Sequence, residues 1–372
     1  MRVLHVTPYF PPTWAYGGIP RVVHGLGRAL VAQGIDVRVW TTDVLDAERR
    51  ADVPARRDVD GIDVHVSRVV SNRLAWRHQL FLPRGVPPLE GVDVVHLHAH
   101  RHLLNYRAWK AARALGIPVV MTPNGTAPRL ERKQQVKRAW DRLVDGGLPH
   151  DADRVIATSR AEVRQLLGVG VRAERVVRIP NGLWLEEFRA LPPRGSFRTR
   201  HGIDGPLVAY LGQITPRKGV DHLVAAFRGL GTGTLVIAGS ARGMTPPRGP
   251  GVRYTGTLEG PDRLALLVDA DVLVYPSTDE VFGLVPFEGL LCGAPVIVGG
   301  DCGCGELVGE AGAGVLVPHG DVAALRDAIR TVLTDRATAE TMVRRGRAFI
   351  ERNLGFETIA AAHVDLYREL RA

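Results

Sequence analysis

Short apolar runs alternate with stretches of helical spacing along nearly the whole chain, and the series starts twice. No other feature limits the fold as much, because a repeated strand–helix alternation builds a parallel sheet with helices on both faces. In the first series Val3, Leu4 and Val6 mark a strand over Arg2–Thr7, stopped by Pro8, Pro11 and Pro12. Ile19, Val22, Val23, Leu26 and Leu30 then recur at helical spacing, with Pro20 near the first turn and Gly34 as the stop. Further strands are predicted at Asp36–Thr41, Asp63–Ser67, Asp93–His98, Ile117–Met121, Arg154–Thr158 and Arg175–Ile179. Leu191–Ser196 reads as a linker. The second series opens with a strand at Leu207–Leu211, a loop over Gly212–Gly219 and a helix over Val220–Leu230. Strands follow near Thr234–Ala238, Val252–Thr255, Val272–Tyr275, Pro295–Val298 and Gly314–Val317, and Val322–Arg371 reads as helical throughout with a break near Gly355. The expectation is an α/β chain of two doubly wound domains, 1–190 and 191–355, binding ligands at the carboxyl ends of their strands and facing each other across one cleft.

The 372 residues have room for two such cores, and 45% hydrophobic with 23% charged residues is ordinary for a globular protein. That composition excludes disorder, collagen and coiled coil as the main architecture. No apolar run reaches the ~18 residues of a membrane span, and the opening Met1–Val6 run is broken too early by prolines for a signal peptide. Three cysteines, Cys292, Cys302 and Cys304, do not make a disulfide framework and fit a reducing compartment. A cytoplasmic protein is expected. The net charge is +9, nearly all of it arginine, with lysine only at 110, 133, 137 and 218. Such a balance suits nucleic acid, an anionic membrane or phosphorylated ligands, and spread along the whole chain it suits GC-rich coding equally well. No nucleic-acid recognition motif accompanies it, so nucleic acid is not an expected partner.

The most informative stretch runs from Tyr275 to Val296, between two apolar strands. Pro286 suits the first turn of a helix, so Gly283–Val285 would present backbone N–H groups at its N-terminus, an anion site. Glu288 would fall in the first turn, where the helix dipole favours it. A hydrolytic acid–base pair made of Glu280 and Glu288 would need carboxylates ~5–5.5 Å apart when retaining. Eight residues of continuous helix would separate them by ~12 Å, and a loop-to-helix path leaves the distance open. Two acceptors for sugar hydroxyls are preferred.

Here the chain resembles glycosyltransferase family 4, the retaining sugar-nucleotide enzymes of GT-B fold, whose pattern is P-S-x-x-E-x-F-G-x-x-x-x-E-A-x-x-x-G-x-P-V. The match is carried by Glu280, Phe282, Gly283, Glu288, Gly293, Pro295 and Val296, with Gly289 where Ala is common. The resemblance implies that Glu288 binds the nucleotide ribose, and that Glu280 with the backbone of Phe282, Gly283 and Leu284 contacts sugar and phosphates. Gly212–Gly219 looks like the family's G-R-x-x-x-x-K-G loop, so Lys218 is expected to neutralise the donor diphosphate. Gln213 stands where an arginine is common, which leaves Arg217 as the neighbouring cation. Gly17-Gly18 resembles the Gly-Gly loop of the family's first domain, and glycines allow close backbone approach to an anion or sugar. The expected catalytic set is Lys218, Arg217 and Glu280. The donor-binding set adds Gly17, Gly18, Gly212, Gln213, Leu258, Phe282, Gly283, Leu284 and Glu288.

The same resemblance implies a terminal helix, about 356–372, crossing back onto the first domain, which takes the acceptor while the second takes a UDP-, GDP- or similar nucleotide-sugar. No cofactor and no metal are expected. Thr122-Pro123-Asn124-Gly125 has Asn124 where many relatives have His; it can bond a hydroxyl but cannot titrate, which argues against a general base. Asn181-Gly182 is read as structural, with Asn or Gly in a left-handed conformation.

His96, His98, His100 and His102 alternate at the end of a strand and would share one face. A metal must be considered, but the family has H-x-H there without one, and His98 or His100 is expected to face the acceptor. Cys302 and Cys304 have no His or Cys partners at zinc-binding spacing. Gly229–Gly233 precedes a strand, the wrong context for a dinucleotide fingerprint, which argues against a nicotinamide dehydrogenase. Arg129, Arg132, Lys133, Lys137, Arg138 and Arg142 lie on a predicted helix with Leu130, Val136, Trp140 and Leu143, and Arg68–Arg84 carries Arg73, Trp76, Arg77, Leu80 and Phe81. Basic amphipathic segments with tryptophan dock on anionic membranes or are simply solvated; docking would suit a lipid-linked acceptor at the inner membrane face. The reading is a metal-independent, retaining hexosyl- or N-acetylhexosaminyl-transferase acting on a hydroxyl acceptor. The alternatives are a nucleotide-sugar 2-epimerase of the same architecture and a non-enzymatic basic nucleotide- or nucleic-acid-binding protein.

Overall fold

The computed structural model describes every residue except 15–16, 47, 79, 129–133, 145–146, 242–243 and 372, and at 77, 78 and 136 the backbone alone. The chain divides into two compact bodies, Met1–Leu183 with Leu354–Ala372, and Trp184–Asn353. It passes between them ahead of the 190/191 junction expected.

The first body holds strands β1 (Arg2–Val6), β2 (Asp36–Thr42), β3 (Arg56–Val59), β4 (Ile62–Ser67), β5 (Val94–His98), β6 (Val119–Thr122), β7 (Arg154–Ala157) and β8 (Val176–Arg178). Their order is β3-β4-β2-β1-β5-β6-β7-β8. The second holds β9 (Leu207–Leu211), β10 (Thr234–Ala238), β11 (Val252–Gly256), β12 (Val272–Tyr275), β13 (Val296–Gly299) and β14 (Gly314–Val317), ordered β11-β10-β9-β12-β13-β14. The central strands are apolar on both faces because helices cover both: every residue of β5, β9, β10 and β12 is buried. Pairing is parallel throughout, except that β3 runs antiparallel to β4. That hairpin was not anticipated, since Arg56-Arg57-Asp58-Val59 has one apolar residue. Its signal is Asp60-Gly61, both at positive φ (55° and 81°), the dipeptide of a tight hairpin turn. The charges suit an edge strand.

The order in which successive strands are added across the sheet reverses between β1 and β5 in the first sheet and between β9 and β12 in the second, while the strands themselves stay parallel. Loops leaving these neighbours diverge and leave a crevice at the strand ends.

The helix Phe356–Glu369 belongs to the first body and packs on Gly18–Ala32. Glycine makes that contact possible. A Cβ on Gly25 would lie 2.2 Å from the Phe356 ring, and one on Gly182 would lie 2.3 Å from it. Neither Asn181 nor Gly182 has positive φ, so the left-handed turn expected there is absent; Gly182 is needed for the space beside Phe356. The C-terminal region is also interrupted sooner than expected, at Asp335 between Val322–Thr334 and Arg336–Asn353. Its carboxylate accepts from the Thr338 N–H at 3.1 Å, which caps a new helix and ends the old one. The predicted linker is likewise tied down. Buried Asp269 accepts from the N–H groups of Gly195, Phe197 and Arg198 and fixes the start of the helix Ser196–His201. Among the described residues no helix is long and apolar enough to cross a membrane.

Candidate functional site

In the second body the loops after β9 and β12, neighbours at the reversal point, bring Lys218 and Glu280 together. Gly212, at φ 149°, leaves β9 in a conformation reserved for glycine. The chain then makes a single helical turn, Pro216–Lys218, ending at Gly219 with φ 62°. A Cβ on Gly219 would lie 2.6 Å from the Pro276 carbonyl, so the lysine loop sits directly against the end of β12. This places Lys218 Nζ 2.6 Å from the Tyr275 hydroxyl, 4.8 Å from the centre of its ring, and in an ion pair with Glu280. The Tyr275 hydroxyl donates to Glu280 Oε2 at 2.8 Å. Arg217 Nη1 donates to the Asp279 carbonyl at 3.4 Å. Gln213 holds the loop through its own carbonyl, which accepts from the Tyr210 hydroxyl at 2.8 Å.

Burial alone would raise the Glu280 carboxyl; the Lys218 ammonium, hydrogen bonds from Lys218 and Tyr275, and the Arg217 charge outweigh it and hold the group below its ordinary range. Burial and the neighbouring Glu280 charge push the Tyr275 phenol well above its ordinary value. The cluster is therefore an ammonium–carboxylate pair bridged by a neutral hydroxyl.

Between β12 and the helix Val285–Cys292 the chain takes two left-handed steps, Asp279 at φ 54° and Gly283 at φ 77°. At Gly283 a Cβ would stand 3.2 Å from both Cys304 Sγ and the Tyr275 ring. Phe282 is buried against Phe287, ring centres 5.4 Å apart. Leu284 is the N-cap, Pro286 has no N–H, and the Phe287 and Glu288 N–H groups both donate to the Leu284 carbonyl at 3.1 Å, so the N–H groups with no acceptor inside the helix are those that precede them, at Gly283–Val285. Glu280 stays in the loop, while Glu288 is the fourth residue of the helix and nearly buried. Leu258 sits half-buried just before the helix Gly260–Asp269.

Glu288 is paired with Arg263, a buried residue of that helix which also pairs with Glu187. Burial works against the guanidinium charge; the two carboxylates overcome it. Arg263 and Glu187 were missed from the sequence because no local pattern links 187, 263 and 288. Tyr275 was passed over because a strand-end tyrosine before Pro-Ser reads as core.

In the first body, Gly17 (φ 101°) is the N-cap of the helix Gly18–Ala32, in the loop that follows β1. His98 ends β5, but the alternation of histidines stops there. Ala99 (φ 64°) and Arg101 (φ 62°) turn the chain, so His100 and His102 leave the strand and do not share its face. His5 of the adjacent β1 takes their place: His5, His96 and His98 offer ring nitrogens within 4.8 Å of one another. His5 Nδ1 lies 2.9 Å from His98 Nε2, and His96 is held at both nitrogens, by the Tyr367 hydroxyl at 2.6 Å and Thr122 Oγ1 at 2.7 Å. Burial lowers all these histidines, His5 to about 3 with His363 contributing, and His363 itself to about 4. They are neutral at physiological pH: His5 and His98 share a hydrogen bond, while His363 donates to the Ile359 carbonyl at 2.8 Å and its ring stacks on that of His96, centres 5.7 Å apart. The His100 N–H donates to Thr126 Oγ1 at 2.7 Å. Asn124 (φ 52°) donates to the Thr122 carbonyl at 3.3 Å and accepts from Asn181 at 3.5 Å.

Of the basic segments, Arg129, Leu130, Arg132 and Lys133, with the side chains of Arg77 and Val136, lie outside the described residues. Arg138, Arg142 and Leu143 are exposed on the helix Gln134–Leu143, and Val70, Leu74 and Val86 are exposed in or beside the 68–84 segment.

Comparison with known proteins matches residues 16–187 to Glycosyltransferase Family 4 and residues 194–349 to Glycosyl transferases group 1. A glycogen synthase of Mycobacterium tuberculosis is 30% identical over 99% of this chain and 94% of its own. A GDP-mannose-dependent alpha-mannosyltransferase of the same organism is 30% identical over 93% of this chain and 91% of its own. Among solved structures, sucrose-phosphate synthase from Thermosynechococcus elongatus superposes with a TM-score of 0.76, 25% identity and coverage of 99% and 98% of the two chains.

Proposed function

This chain belongs to glycosyltransferase family 4, with the α/β two-domain GT-B type of fold, and we propose that it moves a hexose from a nucleoside-diphosphate sugar to a hydroxyl acceptor with retention of anomeric configuration. The observation that carries this reading is the Lys218–Tyr275–Glu280 cluster at the reversal point of the second sheet. Open α/β sheets bind nucleotides there, and one relative is by name dependent on GDP-mannose. The second body takes the donor, with Glu288 accepting from the ribose, and the first takes the acceptor, near His98, His100 and Asn124.

In the reaction the bond from the anomeric carbon to the diphosphate oxygen breaks and a bond to the acceptor oxygen forms on the same face. The acceptor proton passes to the departing diphosphate. No protein nucleophile is needed. Negative charge grows on the diphosphate, and Lys218, Arg217 and the backbone N–H groups of Gly283–Val285 are fixed donors that stabilise it. Glu280 accepts from the sugar hydroxyls and keeps Lys218 oriented. Fixed positive groups can take the part of a metal ion in stabilising that charge, so the reaction is proposed to proceed without one.

A screen of UDP-, GDP- and ADP-sugars by thermal shift finds the donor, since a ligand that prefers the native state raises Tm. Product anomers are then read by NMR. The proposal requires a bound nucleotide-sugar and a product of unchanged anomeric configuration. Epimer formed from donor alone, without acceptor, would instead favour the 2-epimerase.

A further inference from the structure

We propose that Arg263 is a positioning residue for the donor's ribose, acting through Glu288 and itself anchored by Glu187. The proposal rests on the reading of Glu288 as the ribose acceptor. All three residues belong to the second body, on three separate segments: the turn Leu185–Phe188, the helix Gly260–Asp269 and the helix Val285–Cys292. Arg263 is 5% exposed and Glu288 9%. Arg263 Nη1 donates to Glu288 Oε2 and Nη2 to Glu187 Oε1, while its buried Nε has no hydrogen-bond partner among the described residues.

The geometry has three consequences. A carboxylate has about four acceptor positions on two oxygens, and the arginine takes one of them on Oε2. Acceptor positions remain for a pair of hydroxyls, and a rigid planar fork fixes which way they face. Second, one guanidinium serves two carboxylates, so the trio carries one net negative charge. A neutral diol that donates hydrogen bonds is favoured there; a ribose bearing an added phosphate is repelled. Third, Glu187 keeps Arg263 from collapsing fully onto Glu288, which would take up the acceptor positions meant for the sugar.

The test separates positioning from mere support of the fold. The probe is whichever of UDP, GDP and ADP binds the full chain most tightly, titrated beside its 2′,3′-dideoxy counterpart into the wild type, R263M, E187Q and E288Q. R263M should weaken the ribonucleotide by about ten- to a hundredfold, the range for one lost hydrogen bond to a charged group. It should leave the dideoxy compound unchanged. E187Q, at a half-buried position that tolerates the change, should show the same selectivity at roughly three- to tenfold, and it decides the matter if R263M does not fold. In turnover the donor KM should rise with kcat nearly constant, the mark of binding that is equal in ground and transition states. Equal weakening of both nucleotides, or no weakening, in R263M and E187Q while E288Q is hydroxyl-selective would overturn the positioning role alone. If E288Q is not hydroxyl-selective either, the ribose assignment of Glu288 falls with it.

Discussion

Lys218 Nζ lies 2.6 Å from the Tyr275 hydroxyl, although the two residues leave different strands and stand 57 positions apart. The contact exists because Gly219 lets the lysine loop approach the Pro276 carbonyl, where any side chain would collide. The tyrosine passes the contact on to Glu280, so cation, hydroxyl and carboxylate form one unit.

Removing the cation should therefore do more than remove one charge. Lys218→Ala is expected to lower kcat by ~10²–10³, as for loss of one preorganised transition-state donor. Steady-state kinetics with the identified donor check this, and unchanged turnover would remove Lys218 from the mechanism.

The same variant has a stability signature with a definite sign. In the wild type the Glu280 carboxyl is held below its ordinary range against a burial effect that would raise it. Its contribution is present above the unfolded carboxylate value and is lost as pH falls through the lower, folded one. Without Lys218, burial dominates and the carboxylate destabilises the fold at neutral pH, so the Tm difference from wild type should shrink as pH drops from 7 toward 5. A constant difference would mean that Lys218 does not hold Glu280 ionised.

The histidine network of the first sheet predicts acid sensitivity. Folded values of about 3 for His5 and about 4 for His363 lie below the ordinary 6.5, chiefly through burial. These groups stabilise the fold fully above the unfolded value, and the contribution is lost as pH falls from about 6.5 toward 4, by up to ~1.4 kcal/mol per pH unit for each histidine. His363→Gln should flatten that slope in urea denaturation between pH 7 and 5. An unchanged slope would contradict the assignment of a neutral, buried His363.

Phe356 fastens the terminal helix between Gly25 and Gly182. Phe356→Ala should destabilise the first body by about 3–5 kcal/mol, the usual cost of emptying a buried aromatic site. Denaturant midpoints measure it, and a loss below about 1 kcal/mol would show the helix held elsewhere.

Metal removal offers a separate check on the fixed cations. With Lys218, Arg217 and a helix N-terminus supplying positive charge, exhaustive treatment with EDTA should leave initial rates within about twofold of untreated enzyme. A rate restored only by added Mg²⁺ or Mn²⁺ would overturn metal independence.

Much of the architecture was legible because buried parallel strands write themselves as continuous apolar runs. β9, β10, β12 and β14 fall at the predicted residues. The β3 hairpin was not, because an exposed edge strand need not be apolar and its turn signal is two residues long. The break at Asp335 was hidden by continuous helical periodicity on both sides, with only a capping side chain to mark it. At the site, Lys218 and Glu280 stand in local motifs and could be read. Arg263 and Glu187 could not, since their meaning lies in an ion-pair network assembled by tertiary packing. The histidines of β5 were read on one strand alone, whereas the network is completed by His5 across the sheet and by Tyr367 from the far end of the chain.

The central claim is that an activated sugar diphosphate binds on the second sheet at the reversal between β9 and β12. A crystal structure with the intact nucleoside-diphosphate sugar is its most direct test. The account predicts a diphosphate oxygen within hydrogen-bond distance of Lys218 Nζ, phosphate oxygens facing the N–H groups of Gly283–Val285, and the ribose hydroxyls on Glu288. A nucleotide-sugar seated away from Lys218 and Glu280 would contradict it.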